Sequence, residues 1–289
     1  MRKAAFGLAI VAASAAVIAL QGQGVLLRRE LKENAKDVYK VEIKGTQNFT
    51  VPGMGEQQMG MTGSMTYAVK TGKVDAQKGE AEAEMVTSDL KFELEGPMAG
   101  MAPGMDSLPK EIVVKGKLDS RNRLVPLESA GIDPQMLMMM GSTMGGVGQG
   151  VEFPEAAVKI GDSWEVVLPK SPFLGNKEHK LSARLVGEKS ESGAPVYEIV
   201  MEGKIPLDID LDELMKSMPN SPASAATMGM KVLIKGSMDM KVVGLYEKSS
   251  GRALKIESTM GGAQTVELPD MGMSLPVSGQ SRVLMTLQR

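Results

Sequence analysis

The sequence predicts an all-β fold with minor helical content, built as antiparallel curved sheets or half-barrels in two similar halves, with one or two short covering helices. Three observations carry this prediction. Many segments alternate apolar and polar residues with a period of two, short turn-rich connections separate them, and helix signals are scarce. The core is expected to be aliphatic, because aromatic residues make up 3% of the chain while 25 residues are methionine.

The first residues have the pattern of an export signal. Arg2 and Lys3 precede the uncharged run from Ala4 to Leu20, and no further charge occurs before Arg28. Residues 1–24 are therefore predicted to be a signal peptide that is cleaved from the mature chain, with an uncleaved membrane anchor as the alternative. Either alternative predicts an extracytoplasmic protein, periplasmic or secreted. A lipoprotein is excluded because the chain has no cysteine to acylate.

Two strand-rich halves follow a charged lead-in at residues 25–36. The first half, residues 37–132, contains five alternating segments: VYKVEIKGTQNFTV, MGMTGSMTYAVKTG, EAEAEMVTSDLKFELEG, KEIVVKGKL and RLVPLES. The second half, residues 151–289, contains a further series: DSWEVVLP, EHKLSARLVGE, PVYEIVMEGKI, MKVLIKGSMDMKVVGLYE, GRALKIES and SRVLMTLQ. Strands this numerous, with turns between them, indicate an antiparallel architecture.

The two halves resemble each other in sequence. DVYKVEI at Asp37 aligns with DSWEVVL at Asp162, an offset of 125, and VVKGKLDSRNRLVPLES at Val113 aligns without gaps with VVGLYEKSSGRALKIES at Val242, an offset of 129. Two matches at nearly the same spacing favour an internal duplication, with chance pairing of strand-like sequence as the alternative. Each half is then expected to end in a hairpin, with turns at DSRN and KSSG.

A Met-rich helix and a Gly-rich connector are predicted between the halves, at residues 133–150. Asp133 supplies a helix N-cap and Pro134 a first-turn proline, and QMLMMMGSTMGG follows. Met is flexible and polarizable, so a helix of this composition suits contact with an apolar ligand. We predict a lid over the sheet whose ligand-binding residues are Met136, Leu137, Met139, Met140 and Met144, with Met101 and Met105 from an earlier loop.

Pairs of the form Met-x-Met support a second interpretation. In a strand this spacing places both side chains on one face, and thioethers prefer Cu(I) or Ag(I) among biological metals. The alternative metal ligands are Met59 and Met61 in one half and Met238 and Met240 in the other. No cofactor is expected otherwise.

Other motifs do not combine into an active site. GDSW at 161–164 has the Gly-Asp-Ser of some serine esterases, but the single histidine, His179, stands in the wrong motif and is expected to be a solvated strand-edge residue. Asp208 to Glu213 begins like a calcium loop but has Glu213 in place of the required glycine, so it favours the acidic start of a helix. GGVGQG precedes a strand rather than a helix, which indicates a connector instead of a phosphate loop.

The phrase FPEAAVKIGDSWEV, residues 153–166, resembles the Pro-x-x-x-Val-x-x-Gly-Asp-Ser/Thr-Trp phrase of an uncharacterised family of secreted bacterial β-rich proteins. The resemblance covers one motif and the overall layout, and it implies location and fold, because that family has no established activity. In architecture the chain also resembles the open half-barrels of periplasmic lipid and lipoprotein carriers.

These observations predict a non-enzymatic exported β-protein that binds an apolar small molecule, a lipid or an envelope protein partner. The alternatives are a structural envelope scaffold without a ligand and a Cu(I)- or Ag(I)-binding protein. Nucleic acid is not an expected partner, because 33 basic residues face 35 acidic ones without a long block of either sign. Membrane contact is expected only through the N-terminal segment, if it is not cleaved.

Overall fold

The structure, a computed structural model, describes residues 24–288 except for residues 52, 54, 97–109, 130–149, 169, 171–173, 175–176 and 217–230. Within these ranges nearly all regular structure is β-strand, which confirms the predicted fold class. The elements are β1 (Lys36–Val51), β2 (Gly55–Asp75), β3 (Glu80–Glu95), β4 (Glu111–Asp119), β5 (Leu124–Ser129), β6 (Ser163–Leu168), β7 (His179–Glu191), β8 (Ala194–Asp210), α1 (Leu211–Lys216), β9 (Leu233–Glu247), β10 (Ala253–Leu268) and β11 (Met273–Leu287).

The eleven strands form one open antiparallel sheet, and both strand series belong to it. Its order is β5-β4-β3-β2-β1-β11-β10-β9-β8-β7-β6. β11 pairs with β1 over eleven residue pairs, from Tyr39 opposite Leu287 to Phe49 opposite Val277. The last strand of the chain therefore joins the two series into a single sheet. Strands β1 to β5 and strands β6 to β10 each run as a meander in the same sense across the sheet, an order compatible with the proposed duplication.

The two ends of the sheet have different connections. We call one the turn end, because short turns there join β2 to β3, β4 to β5, β7 to β8 and β9 to β10. We call the other the loop end; β1, β3, β5, β6, β8 and β10 run toward it. Segments that follow these strands hold more than half of the 25 methionines: Met54, Met98, Met101, Met105, Met136, Met138, Met139, Met140, Met144, Met215, Met218, Met228, Met230 and Met271.

Two segments outside the strands close the turn end. The lead segment, residues 24–35, crosses the β4–β5 and β9–β10 turns. The amide of Arg29 donates to Ser120 O at 2.7 Å, and that of Glu30 donates to Ser250 O at 2.7 Å. The connector, residues 150–162, pairs with it through a β-bridge between Val25 and Val158. The charged lead-in is therefore held against the turn end of the sheet by backbone hydrogen bonds.

The two hairpins β4–β5 and β9–β10 share an unusual backbone feature. Asn122 and Gly251 occupy equivalent turn positions with φ of 63° and 64°, a left-handed conformation that glycine and asparagine adopt most readily. The β9–β10 turn is one residue longer than its counterpart, since the amide of Glu247 donates to Arg252 O while that of Asp119 donates to Arg123 O. The gapless alignment of VVKGKLDSRNRLVPLES with VVGLYEKSSGRALKIES is therefore wrong by one residue for β4 and β9, the strands that precede the two turns.

Candidate ligand-binding face

Burial alternates along the strands and identifies an inner face. In β1, Tyr39, Val41 and Ile43 are buried, whereas Lys40 and Lys44 between and beyond them are exposed on the outer face. Successive strand residues point to opposite faces, so the strand pairings extend this assignment across the sheet. The lead segment and the connector pack on the inner face.

Large rigid side chains fill the inner face at the turn end. Phe153 of the connector has no exposed surface and packs edge-on against Tyr246, with ring centroids 5.1 Å apart. The Tyr246 hydroxyl accepts a hydrogen bond from the amide of Val151 at 2.6 Å. The indole Nε1 of Trp164 donates to Glu152 O at 2.8 Å, so β6 is also held to the connector. Trp164 is thus an inward strand residue in β6, as Tyr39 is in β1.

A buried ion pair lies beside these aromatic rings. Arg29 Nη2 is 2.6 Å from Asp37 Oδ2, and the two side chains are only 9% and 10% exposed. Arg252 approaches the same carboxylate at 3.4 Å. Burial raises the pKa of Tyr39 to about 12, against an opposing effect of Arg29, and burial also raises the pKa of Tyr67 and Tyr246. The turn end therefore holds buried neutral tyrosines and a buried, paired carboxylate.

Nearer the loop end, small residues line the inner face on the central strands. Gly45 of β1 pairs with Ser281 of β11, and Gly279 of β11 pairs with Gly262 of β10. A Cβ atom on Gly279 would lie 3.0 Å from Thr46 O, a tight contact that favours glycine beside the neighbouring strand. These four residues are half-buried and leave a shallow floor, with one large polar side chain beside it, that of the exposed Gln47 opposite Gly279.

Methionine and phenylalanine form walls on both sides of this floor. Met59 and Met61 of β2 and Phe92 of β3 stand on one side, and Phe92 lies over Gly63, where a Cβ would be 2.5 Å from its ring. On the other side, Met240 of β9 is directly opposite Met260 of β10. Met238, two residues along β9, completes this wall. We call these ten residues the inner trough: Gly45, Gly262, Gly279, Ser281, Met59, Met61, Phe92, Met238, Met240 and Met260.

The inner trough is apolar and remains in contact with solvent. None of its ten residues is ionisable, and Met59, Met61, Phe92 and Met238 are half-buried, whereas Met240 and Met260 are 2% and 5% exposed. When an apolar group covers surface of this kind, the complex is stabilised by about 25 cal/mol per Å² of apolar surface buried. Flexible methionines on both walls adapt to ligands of different shape. The trough can therefore hold an apolar ligand.

Concavities also open on the outer face, where polar residues line them. One of about 670 Å³ includes Lys36, Lys70 and Lys115, and Lys70 Nζ lies 2.8 Å from Glu84 Oε1. Another of about 650 Å³ includes Lys204, Asp239 and Lys241. Both are wide, and their charges of both signs are typical of a solvated sheet surface. We therefore place the candidate site on the inner face.

The residues predicted for the lid lie outside the described residues. This applies to Met136, Leu137, Met139, Met140 and Met144, and to Met101 and Met105. Their roles stay predictions and are not part of the inner trough. The described strands that precede these segments, β3 and β5, run toward the loop end.

The structure places the four predicted metal ligands on opposite walls of the inner trough. Met59 and Met61 lie on β2, and Met238 and Met240 lie on β9, with β1, β11 and β10 between them. Four strand spacings amount to about 19 Å along the sheet. The pairs therefore belong to separate groups of side chains. Sequence reasoning missed Met260, which has no Met-x-Met partner and joins Met240 only through strand pairing.

The single histidine is not where the sequence predicted it. His179 is 6% exposed at the start of β7, and its Nε2 lies 2.7 Å from Leu174 O, so the expectation of a solvated strand-edge residue is wrong. It pairs with Leu168, five residues along β6 from Ser163 and on the opposite face. That separation, about 17 Å along the strand, leaves Ser163 without a histidine to activate it.

The acidic run Asp208 to Glu213 ends β8 and starts a helix, as predicted. Asp210 Oδ1 accepts hydrogen bonds from the amides of Asp212 and Glu213 at 3.0 and 3.3 Å, which caps α1. Across the residues that the structure describes, no group of three or more His, Cys, Asp or Glu side chains is arranged to hold a metal ion. In the same residues, no helix is both long and apolar enough to cross a membrane.

Comparisons with known proteins find similarity in structure only. No protein-family model and no curated protein sequence matches the chain. A chain of lipovitellin, from a study of its lipid–protein interactions, is similar with a TM-score of 0.45 and 12% identity; the match covers 90% of this chain and about a quarter, 26%, of that chain.

Two bacterial structures are similar at lower TM-scores. A DUF1329 family protein from Desulfovibrio piger has a TM-score of 0.16 and 9% identity, with 83% of each chain covered. A putative outer membrane lipoprotein-sorting protein domain from Vibrio parahaemolyticus has a TM-score of 0.19 and 8% identity, again with 83% of each chain covered. Since every one of these TM-scores is below 0.5, no property of this chain is derived from them.

Proposed function

We propose that the protein is a non-enzymatic, extracytoplasmic carrier that binds one apolar chain, such as a lipid acyl chain, in the inner trough. The observation that carries the proposal is the solvent contact of an uncharged floor of small residues between walls of Met and Phe. The hydrophobic core of the sheet extends into the trough only as far as the buried Met240 and Met260, whereas Met59, Met61 and Met238 keep contact with solvent.

The shape of the inner trough favours an elongated ligand. Its floor spans the three adjacent strands β10, β11 and β1, and Met and Phe side chains stand on both sides of it. A chain lying across the central strands would contact Met61 near one end and Met238 near the other, about 19 Å apart along the sheet. Binding of this kind would exclude water from the half-buried walls without requiring a charged partner.

Native mass spectrometry of protein purified from its own envelope tests the proposal directly. We expect a co-purifying apolar molecule that dissociates on delipidation, and binding of an uncharged fluorescent probe, 1-N-phenylnaphthylamine, to the delipidated protein. A delipidated protein that binds neither lipid nor probe would contradict the proposal and favour an envelope scaffold.

A matched pair of variants locates the site. Ser281→Phe places a ring on the trough floor, whereas Gln280→Phe places the same ring on the exposed outer face of the same strand. We expect Ser281→Phe to weaken probe binding about 10-fold or more and Gln280→Phe to leave it unchanged. If Ser281→Phe does not fold, Met61→Gln, which adds a polar group to one wall, provides a second test and should also weaken probe binding. Equal binding by folded Ser281→Phe and wild type would place the site elsewhere.

A second candidate function is binding of Cu(I) or Ag(I). The observation that favours it is the grouping of Met238, Met240 and Met260, with the last two directly opposite each other on β9 and β10. Three thioethers on adjacent strand positions provide soft ligands for these ions. Titration with Ag(I), followed by native mass spectrometry, tests it. We expect wild type and the core variant Met65→Leu to bind one ion. We expect Met240→Leu/Met260→Leu to bind none.

A further inference from the structure

The methionines of the inner face fall into two groups by exposure. Those of the core are nearly inaccessible, since Met65, Met201, Met240 and Met285 are 3%, 1%, 2% and 3% exposed. Those at the outer parts of the trough walls, Met59, Met61 and Met238, are half-buried and keep contact with solvent. A small oxidant in water therefore reaches one group and not the other.

Thioethers are the soft nucleophiles of this chain. It contains no cysteine, so no thiol competes for an oxidant, and its single histidine is 6% exposed. Oxidation of Met is favoured by exposure and is reversible through methionine sulfoxide reductases, one for each sulfoxide epimer. The position of a thioether on the sheet thus decides which sulfurs react.

We propose that Met59 and Met61 on one wall and Met238 on the other are reversible oxidation sites that control ligand binding in the inner trough. The oxidant is hydrogen peroxide. A lone pair of the thioether sulfur attacks one peroxide oxygen, the O–O bond breaks as the S–O bond forms, and the departing hydroxide takes the remaining proton to leave as water. Sulfur is oxidised to the sulfoxide and the peroxide is reduced.

The change in polarity explains the effect on binding, and this step rests on the proposed function. A sulfoxide oxygen is a strong hydrogen-bond acceptor that water satisfies in the empty trough. An apolar chain in the trough would remove that water and offer no donor, so each sulfoxide penalises binding. We expect sulfoxides on these three residues to weaken probe binding about 10-fold or more.

The experiment uses three proteins: wild type, Met59→Leu/Met61→Leu/Met238→Leu, and Met271→Leu. Leu is similar in volume to Met and does not oxidise, so the triple variant keeps an apolar trough. Met271 is the matched control, because it is 54% exposed in the turn between β10 and β11 and is not a trough residue. Each protein is treated with limiting hydrogen peroxide, mapped by peptide mass spectrometry and assayed with 1-N-phenylnaphthylamine.

We expect oxidised wild type and oxidised Met271→Leu to lose binding, the triple variant to keep it, and the two reductases together to restore it. Equal loss in the triple variant, or full binding by wild type that carries sulfoxides at all three positions, would overturn the inference. If unoxidised wild type does not bind the probe, the proposed function fails instead. The peptide map then shows separately whether these sulfurs react before the buried ones.

Discussion

The turn end and the loop end of the sheet use the same strands for different purposes. At the turn end, Phe153, Tyr246 and Tyr39 fill the interior, and two crossing segments hold short turns together. Toward the loop end, Met59, Met61 and Met238 stand half-buried around a floor of small residues. Rigid aromatic side chains define a single packing, whereas flexible thioethers adapt to what covers them. Stability is therefore expected to reside at one end and binding at the other.

The largest expected contrast comes from removing one aromatic ring at each end. Phe153→Ala should lower the free energy of unfolding by about 3–5 kcal/mol, because the ring is fully buried and leaves a cavity. Phe49→Ala should cost less than about 2 kcal/mol, because this ring, near the loop end, is only half-buried. Urea denaturation measures both. Equal losses would show that the loop end carries as much of the stability as the turn end.

Breaking the buried ion pair should have the next largest effect. Asp37→Ala should destabilise the protein by about 3 kcal/mol, because it leaves the Arg29 guanidinium buried without its carboxylate. Glu42→Ala removes an exposed partner of Lys40 on the outer face and serves as control, with no measurable change expected. Thermal unfolding followed by circular dichroism compares the two. A stable Asp37→Ala variant would mean that the lead segment is held without this pair.

High pH should unfold the protein from the turn end. The pKa of Tyr39 is about 12 in the folded chain, against about 10 in the unfolded chain, so its neutral form stabilises the fold below pH 10. Between pH 10 and 12 the unfolded chain releases this proton first, and about 2–3 kcal/mol of stability is lost. Unfolding midpoints in urea from pH 8 to 12 measure the loss, and Tyr39→Phe should reduce it. Tyrosine ionisation near pH 10 without unfolding, seen by absorbance at 295 nm, is the contrary outcome.

The smallest expected effect comes from one hydroxyl group. Tyr246→Phe keeps the ring against Phe153 but removes the acceptor for the Val151 amide, which should cost about 1–2 kcal/mol. Tyr197→Phe is the control, because it retains the ring over which Lys248 lies at 4.8 Å. Chemical denaturation should separate the two variants. Probe binding should be normal in both, and a loss of binding in Tyr246→Phe would couple the two ends of the sheet.

The strands were largely predictable from local sequence, while the site was not. Alternation in VYKVEIKGTQNFTV and MGMTGSMTYAVKTG predicted β1 and β2, because a sheet with one buried face imposes a period of two. Met260 gives no comparable local signal, since its neighbours in ESTMGGAQT are unrelated to Met240 until β9 pairs with β10. His179 was misjudged because its charged neighbours, Glu178 and Lys180, indicate exposure, while its own side chain points to the buried face.

The sequence by itself determined the fold class, the phase of most strands, the hairpins at DSRN and KSSG, and the acidic start of α1. These features depend on residues that are close together in the chain. Only the tertiary structure decided that β11 joins two strand series into one sheet, that residues 24–35 close the turn end, and that Met59, Met61, Met238 and Met260 surround one floor of small residues. Those relations depend on the register between strands far apart in sequence, which burial of the whole inner face selects.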